Sequence, residues 1–165
     1  MTPVESKLKN IEWLLLDVDG VLTDGKLFYD KYGESIKVFN VHDGHGLKML
    51  KSLGLKIGVI SGRGCEALEV RLQELKVDWC ELNCESKGTA LAKGIQLHGE
   101  EILNSAHIGD DLPDLELFKI VKTSIAPSDA HSEVLSEADI ILKNTGGNGA
   151  VREACDLIFK LKKEL

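Results

Sequence analysis

The stretch that decides the fold is WLLLDVDGVLTD, residues 13–24. Its first part, Trp13 to Val18, is almost entirely apolar, and the carboxylates of Asp17, Asp19 and Asp24 follow at its end. Continuous apolar runs of this length are typical of strands that are buried on both faces, as in parallel sheets. The stretch therefore predicts a buried strand that ends in an acidic loop.

The same pattern recurs along the chain. Short apolar blocks alternate with segments whose apolar residues are spaced as on one face of a helix. Such alternation predicts an α/β fold with a doubly wound, Rossmann-like parallel sheet. The other predicted strands are Ile57–Ile60, Ala106–Ile108, Ser124–Ala126 and Ile140–Leu142, and the predicted helices are Gly46–Ser52, Glu66–Leu75, Lys87–Leu97, Leu112–Ile120 and Gly149–Lys162.

One segment breaks the alternation. Two runs of strand-like composition, Lys26–Tyr32 and Ser35–Asn40, surround a turn that contains Gly33. A glycine between two such runs is typical of a hairpin, so we expect a β-hairpin that projects from the sheet. The chain has no internal repeat or long linker, and 165 residues fit one domain, which we place at residues 1–165.

The charge balance argues against some classes of partner. The net charge is −7, whereas binding to nucleic acid or to anionic lipid needs clustered Lys and Arg. No segment approaches the roughly 20 apolar residues that span a bilayer, and the first residues lack the apolar run of a signal peptide. We therefore expect a cytoplasmic protein with no nucleic-acid or membrane partner, whose four cysteines are reduced.

Polar residues come directly after the predicted strands. ISGR, residues 60–63, ends one strand, GDDLPD, residues 109–114, follows a later one, and Lys87 opens a helix between them. Ligands gather at the carboxyl ends of parallel strands. Two acidic clusters at that edge would repel each other unless a divalent cation lay between them, and carboxylate oxygens suit Mg²⁺. Asp17 and Asp110 are the best candidate ligands.

Such a site can cleave a phosphate ester. The cation neutralises phosphate oxygens, Ser61 and Lys87 hold others, and Asp17 is placed to attack phosphorus in line. Asp19 can protonate the departing alkoxide and later deprotonate the attacking water. Gly20 lets the backbone approach the phosphate closely. The residues therefore predict a Mg²⁺-dependent phosphatase that forms an aspartyl-phosphate on Asp17.

Four motifs carry a resemblance to a known superfamily. DVDGVLTDG, ISGR, Lys87 and GDDLPD look like the motifs of the haloacid dehalogenase phosphatases. More narrowly, the hairpin followed by FNVHDGHG and the tail GGNGAVREACDLI resemble the 3-deoxy-D-manno-octulosonate 8-phosphate (KDO 8-phosphate) phosphatase family over nearly the whole chain. The resemblance implies hydrolysis of that ester to phosphate and the free sugar acid, a step of KDO and lipopolysaccharide biosynthesis.

The resemblance also implies roles for individual residues. Asp17 would be the nucleophile and a Mg²⁺ ligand, and Asp110 would be a second ligand. Asp19 would be the acid/base and part of the metal site, without its side chain binding the ion directly. Asp111 and Asp114 would be supporting carboxylates. The implied catalytic set is Asp17, Asp19, Ser61 and Lys87, and the implied substrate-binding set is Asn40, Val41, His42, Asp43, Gly44, Lys48, Arg63, Arg71 and Lys87, whose cations suit a carboxylate-bearing sugar.

Many members of the superfamily carry a cap domain, for which this chain has no room. Ser61 to Lys87 is too short for one, and Asp24 to Lys56 holds only the hairpin and one helix. The resemblance implies a homotetramer in which hairpins associate and a neighbouring subunit closes each site, and the apolar edge Ile36–Phe39 would gain from such pairing. Arg152 would either reach a neighbour's site or be a solvated helix charge.

Some positions depart from the family pattern. His42 and Lys48 stand where many relatives have arginine, which exchanges a bidentate fork for a weaker contact. Glu66 follows the Ser-Gly-Arg motif in a region where basic residues are frequent, and it would disfavour a substrate carboxylate nearby. These departures leave open a phosphatase for a nine-carbon, sialic-acid-type 9-phosphate or for another sugar-acid phosphate.

Other classes of function also remain open. A receiver domain combines similar residues, but it has an acidic pair after its first strand, whereas this chain has Asp-x-Asp there and the pair later. A non-catalytic regulatory tetramer would keep the fold, although every catalytic position is present. His42 and His45 form an H-x-x-H pattern that could bind zinc, but their glycine-rich surroundings favour substrate contact.

Overall fold

The computed structural model describes residues 2–163. Its strands are β1 (Trp13–Leu16), β2 (Phe28–Asp30), β3 (Gly33–Ile36), β4 (Lys56–Ile60), β5 (Trp79–Glu81), β6 (Ser105–Ile108), β7 (Thr123–Ala126) and β8 (Ile140–Ile141). Six of them form a parallel sheet in the order β5-β4-β1-β6-β7-β8, while β2 and β3 pair antiparallel in a separate hairpin. The predicted α/β fold, with its parallel sheet and hairpin, is confirmed, and the described residues contain no cap domain.

One helix precedes the first strand, one follows the last, and the others lie between strands along the chain. They are α1 (Pro3–Lys9), α2 (Val41–Ser52), α3 (Glu66–Leu75), α4 (Lys87–His98), α5 (Leu115–Phe118), α6 (Ser132–Glu137) and α7 (Ala150–Lys163), with short 3₁₀ turns at Glu100–Leu103 and Leu112–Asp114. None of the helices in the described part of the chain has both the length and the apolar composition needed to cross a bilayer.

The first strand lies at the centre of the sheet and is fully buried. Its side chains alternate between the two faces: Leu14 and Leu16 join one apolar cluster, whereas Trp13 and Leu15 join another. Helices α2, α3 and α7 cover the first face, and α4 covers the second. Burial on both faces explains why β1 is continuously apolar instead of alternating.

The strand register brings the carboxyl ends of three strands to one level. Leu16, the last residue of β1, pairs with Val59 of β4 and with Ile108 of β6. The strand order also reverses at β1, since β4 lies on one side and β6 on the other. Such a reversal opens a crevice at the carboxyl ends of the strands. The loops that follow β1, β4 and β6 therefore open onto the same crevice.

The hairpin is shorter than the sequence predicts, and it exposes several large apolar side chains among polar ones. Tyr32 at its turn is 86% exposed, and Tyr29 and Ile36 are more than half exposed. Gly33 has a φ of +121°, which only glycine adopts without strain. The hairpin does not pair with the six-stranded sheet.

Helix α2 begins five residues before its predicted start at Gly46. The Asn40 side chain accepts a hydrogen bond from the His42 amide and caps the helix. Gly44 and Gly46 lower the intrinsic helix propensity of this turn. Both are nevertheless needed, because a Cβ at Gly44 would lie 2.4 Å from the Arg71 guanidinium and one at Gly46 would lie 2.9 Å from Cβ of Cys155. The predicted loop of residues 40–44 is therefore the start of a closely packed helix.

Other boundaries differ for local reasons. The first strand ends at Leu16, two residues early, since the Val18 carbonyl accepts hydrogen bonds from the amides of the next turn. The helix predicted at Leu112–Ile120 is broken into a 3₁₀ turn and the short α5. Strand β5 and helices α1 and α6 are absent from the sequence prediction because each is short and carries few apolar residues.

Candidate active site

The three loops at the carboxyl ends of β1, β4 and β6 line a crevice of about 340 Å³. Its lining residues include five acidic side chains and two basic ones, an arrangement that suits metal-assisted phosphate chemistry. The lining residues are Asp17, Asp19, Gly25, Ser61, Gly62, Arg63, Cys84, Glu85, Lys87, Asp110, Asp111 and Pro113.

Asp17 directly follows the carboxyl end of the first strand and is held there by several hydrogen bonds. Its backbone amide donates to the Ile108 carbonyl at 3.0 Å, which continues the pairing of β1 with β6. Its Oδ1 accepts from the Val18 amide at 2.6 Å, and its Oδ2 lies 2.6 Å from Nζ of Lys87. Burial raises the pKa of the Asp17 carboxyl, while the Lys87 ammonium opposes that rise. The side chain is 13% exposed and lines the crevice.

A buried chain of polar groups supports Lys87. Its Nζ also donates to Oδ1 of Asp114 at 2.5 Å, and the same oxygen lies 2.6 Å from Nε2 of His107. Oδ2 of Asp114 accepts from the amides of Asp110 and Asp111. Burial alone would raise the pKa of Asp114, but hydrogen bonding to His107 and the charges of His107 and Lys87 lower it to about 2. Asp114 is therefore an ionised anchor whose two oxygens are both occupied.

Asp110 completes an acidic cluster that fits a divalent cation. Carboxylate oxygens of Asp17, Asp110 and Asp114 lie within 4.8 Å of one another. Oδ1 of Asp110 is buried and has no hydrogen-bond partner among the described residues. Burial, reinforced by the charges of Asp17 and Asp114, raises the pKa of Asp110 to about 8. Each oxygen of Asp114 has two polar contacts, whereas each oxygen of Asp17 has only one, so Asp17 and Asp110 are the carboxylates that remain for an ion such as Mg²⁺.

The backbone is shaped to let the acidic loops meet. Gly20 has a φ of +84°, and a Cβ there would lie 1.9 Å from Oδ2 of Asp110. A side chain at Gly20 would therefore fill the place of the carboxylate that is aimed at the cation site. Gly146 is equally constrained, because its Cβ would lie 1.8 Å from the Gly20 carbonyl oxygen.

Ser61 and Arg63 form the wall contributed by β4. The Ser61 amide donates to the Glu81 carbonyl at 3.0 Å, which fixes the residue at the end of the strand. Its hydroxyl oxygen accepts from the Arg63 amide at 3.2 Å, so the hydroxyl hydrogen is free to donate into the crevice. This arrangement can hold a phosphate oxygen.

The hairpin reaches the crevice through charged residues that sequence reasoning missed. Nζ of Lys37 lies 2.5 Å from Oδ1 of Asp19 and 2.7 Å from Oε1 of Glu34. The Arg63 guanidinium contacts Oε2 of Glu34 at 3.2 Å and donates to the Tyr29 hydroxyl at 2.7 Å. The signal available in the sequence was Lys37, a single lysine in the otherwise apolar run of residues 36–39.

Within the described range, residues 2–163, most of the residues expected to bind the substrate do not line this crevice. Arg63 and Lys87 line it, whereas the other members of the set do not. Asp43 is buried and accepts from the Arg152 amide at 2.8 Å, and Arg71 pairs with Glu74. The residues placed elsewhere are Asn40, Val41, His42, Asp43, Gly44, Lys48 and Arg71, of which Val41, His42 and Lys48 are exposed.

Arg152 is engaged within its own helix. Its Nε donates to Oδ1 of Asp156 at 2.8 Å, one turn further along α7. The side chain is about one-third exposed, which suits a solvated helix charge.

The glycine-rich loop before α7 has a role that the sequence did not reveal. The Gly147 amide donates to the Val21 carbonyl at 3.0 Å, and the Gly146 amide donates to Asp129. Gly147 adopts a φ of +68°, and a Cβ there would lie 2.5 Å from the Asp24 amide nitrogen. The loop therefore packs its backbone directly against the acidic loop after β1 and braces it.

Comparisons with known proteins agree with this geometry. A family model described as haloacid dehalogenase-like hydrolase matches residues 82–153. The 3-deoxy-D-manno-octulosonate 8-phosphate phosphatase of Haemophilus influenzae is 41% identical, with 95% of this chain and 87% of the relative covered. The Escherichia coli K12 phosphatase of the same name is 35% identical, with 98% and 86% covered.

Solved structures of similar proteins share the fold. The cobalt-bound Haemophilus influenzae phosphatase superimposes with a TM-score of 0.90 at 41% identity and covers 95% of this chain and 92% of its own. The Moraxella catarrhalis phosphatase, in complex with a magnesium ion, a phosphate ion and KDO, has a TM-score of 0.93 at 36% identity and covers 99% and 94%. On this similarity of sequence and fold, the chain belongs to the 3-deoxy-D-manno-octulosonate 8-phosphate phosphatase family of haloacid dehalogenase-like hydrolases.

Proposed function

We propose that this protein is a Mg²⁺-dependent phosphatase that hydrolyses 3-deoxy-D-manno-octulosonate 8-phosphate to the free sugar acid and phosphate. The observation that carries the proposal is the buried Lys87 ammonium beside Asp17, with the unpartnered Asp110 carboxylate in the same cluster. This set combines a nucleophile, a phosphate-binding cation and an open metal ligand. The names of the relatives, and the KDO bound to one of them, support the choice of sugar.

The residues divide the work of the reaction. Mg²⁺ held by Asp17 and Asp110 would neutralise phosphate charge. Lys87 and the Ser61 hydroxyl bind phosphate oxygens, and the Asp17 carboxylate attacks phosphorus to form an aspartyl-phosphate. Asp19 protonates the departing sugar oxygen and then deprotonates the water that hydrolyses the aspartyl-phosphate.

Phosphate release tests the proposal directly. The purified protein is assayed with Mg²⁺ against the eight-carbon octulosonate 8-phosphate, nine-carbon sugar-acid 9-phosphates and hexose phosphates, with EDTA as the metal-free control. We expect kcat/KM to be highest on the eight-carbon ester and phosphate release to stop with EDTA. A preference for a nine-carbon ester would assign that sugar-acid phosphate as the substrate instead. Absence of turnover of every ester would contradict the proposal that the protein is a phosphatase.

We also propose that the active form is a homotetramer. The described residues of one subunit form no cap domain over the crevice, and the hairpin exposes apolar surface at Tyr29, Tyr32 and Ile36. Association of hairpins would bury this surface and bring a neighbour to the open side. A monomeric mass by light scattering at micromolar protein would overturn this part of the proposal.

The setting we propose is the cytoplasm, in the synthesis of KDO for lipopolysaccharide. The cysteines in the described residues are all free thiols, as expected in a reducing compartment. Cys155 is buried under α2, and its packing there needs no disulfide.

A further inference from the structure

The Lys37 side chain is buried between the hairpin and the crevice. Only 1% of it is exposed, and its Nζ has two acidic neighbours, Asp19 at 2.5 Å and Glu34 at 2.7 Å. A buried ammonium needs such partners, because its desolvation is costly. The other lysine near the hairpin base, Lys26, pairs with Asp24 at the surface and is 74% exposed. The fold therefore holds Lys37 in a buried contact with Asp19, whereas Lys26 forms only an exposed pair with Asp24, its near neighbour in the sequence.

The two oxygens of Asp19 have different surroundings. Oδ1 lies against the Lys37 ammonium and is also 3.5 Å from the Thr23 hydroxyl. Oδ2 is buried and has no hydrogen-bond partner among the described residues, since Nε of Arg63 is 3.6 Å away. An oxygen that accepts from an ammonium is a poor position for a proton. A proton on Asp19 therefore belongs on Oδ2.

We propose that Lys37 is a positioning residue that holds Oδ1 of Asp19, so that Oδ2 carries the proton delivered to the leaving group. The inference rests on the proposed phosphatase chemistry and assigns to the hairpin a part in it. Asp19 lines the crevice beside Asp17, so the proton is carried at the place where the ester bond breaks. Lys37, the residue that follows the second hairpin strand, would thus orient the acid/base from outside the crevice lining.

The proton balance of both steps follows. As the Asp17 carboxylate forms its bond to phosphorus, the bond from phosphorus to the sugar oxygen breaks and the Oδ2 proton passes to that oxygen. In the second step Oδ2 takes a proton from the water that attacks phosphorus, and Asp17 is released with inorganic phosphate. Asp19 ends protonated, as it began, and no further reactant is needed.

The dependence of kcat/KM on the leaving group distinguishes this role of Lys37 from a purely structural one. An alkyl ester such as glycerol 3-phosphate needs its leaving oxygen protonated, whereas p-nitrophenolate leaves without a proton. Neither ester carries a carboxylate, and kcat/KM reports the steps up to the first release of product. We expect Lys37→Met to lower kcat/KM on the alkyl ester about 100-fold, the size of a general-acid contribution, and on p-nitrophenyl phosphate by less than about 3-fold.

The matched control is Lys26→Met, which removes a surface ammonium from the same region and should leave both values unchanged. Equal losses on the two esters in Lys37→Met would overturn the proposal. So would a loss confined to the octulosonate ester, because Lys37 would then bind the sugar carboxylate. If circular dichroism shows that Lys37→Met is unfolded, Lys37→Gln is measured by the same comparison. A wild-type protein that cleaves none of the three esters rejects the proposed phosphatase before any variant is made, so the two failures are distinct.

Discussion

At the scale of single residues, the arrangement of the crevice depends on Asp114, which is fully buried and does not line it. Its Oδ1 receives Lys87 and His107, and its Oδ2 receives two amides of the Asp110 loop. One buried carboxylate thus positions both the Lys87 ammonium and the loop that carries Asp110. A short motif shows that these carboxylates are present, but it does not show which one is saturated.

Asp17→Asn is expected to abolish turnover, with a loss of at least about 1,000-fold in kcat. The amide is no nucleophile and removes a metal charge, but its oxygen can still accept from the Val18 amide. The melting temperature should therefore stay close to that of the wild type. Phosphate release and circular dichroism check the two parts, and substantial residual activity would contradict the role of Asp17.

The pH dependence of the metal-free protein should report Asp110. Its pKa of about 8 in the folded state lies above the ordinary value, so the folded state binds this proton more tightly than the unfolded state. Its contribution to the free energy of unfolding should therefore fall as pH rises from about 4 to 8. Mg²⁺ needs the ionised carboxylate, so we expect the Mg²⁺-induced rise in melting temperature to be larger at pH 8 than at pH 6.

Asp110→Asn is the control for that measurement. The amide cannot ionise, so the variant should lose both the Mg²⁺-induced rise and its pH dependence. A rise that is independent of pH in the wild type would show that Asp110 does not bind the ion.

At the scale of elements, the junction of α2 and α7 shows a packing role that motif spacing alone does not reveal. Asp43 belongs to a segment that resembles a substrate loop, but its Oδ1 accepts from the Arg152 amide at the start of α7. Asn40 of the same segment reaches the Gly147 carbonyl at 3.4 Å. The junction therefore connects α2 to the glycine-rich loop that braces the acidic loop.

Asp43→Ala should lower the free energy of unfolding by about 1–3 kcal/mol, because it leaves buried amides at the start of α7 without a partner. Asp43→Asn keeps an acceptor oxygen and should cost less. Chemical denaturation measures both variants, and KM for the sugar phosphate should change by less than about 2-fold. A raised KM with unchanged stability would return Asp43 to the substrate-binding set.

At the scale of the whole molecule, a single subunit does not explain why the projecting hairpin exposes large apolar side chains to solvent. Its apolar side chains are exposed, while its charged base reaches the crevice through Lys37 and Glu34. An exposed apolar surface of this kind, on a subunit whose described residues form no cap domain, favours association around the crevice. Assembly and catalysis should therefore fail together when the outer face of the hairpin is changed.

Ile36→Asp tests this link, since the side chain is 55% exposed and contributes no contact to the crevice. A charge at the proposed interface should dissociate the proposed tetramer, because desolvating the charge is costly. We expect a smaller mass by light scattering and a kcat/KM at least about 10-fold lower. Val70→Asp, on the exposed face of α3, is the matched control and should keep both values. A dissociated variant with full activity would separate assembly from catalysis.

The sequence by itself determined five of the six strands of the sheet, their order along the chain and the residues that follow them, but not the short β5. Buried parallel strands must be continuously apolar, and their catalytic residues must follow them directly, so both facts are written in local patterns. Only the tertiary structure decided that Asp114 is saturated, that Asp43 caps α7 and that Lys37 reaches Asp19. Lys37 and Asp19 are 18 positions apart, and Asp43 and Arg152 are 109 apart. Contacts between such distant residues depend on how elements pack, which periodicity and short motifs do not encode.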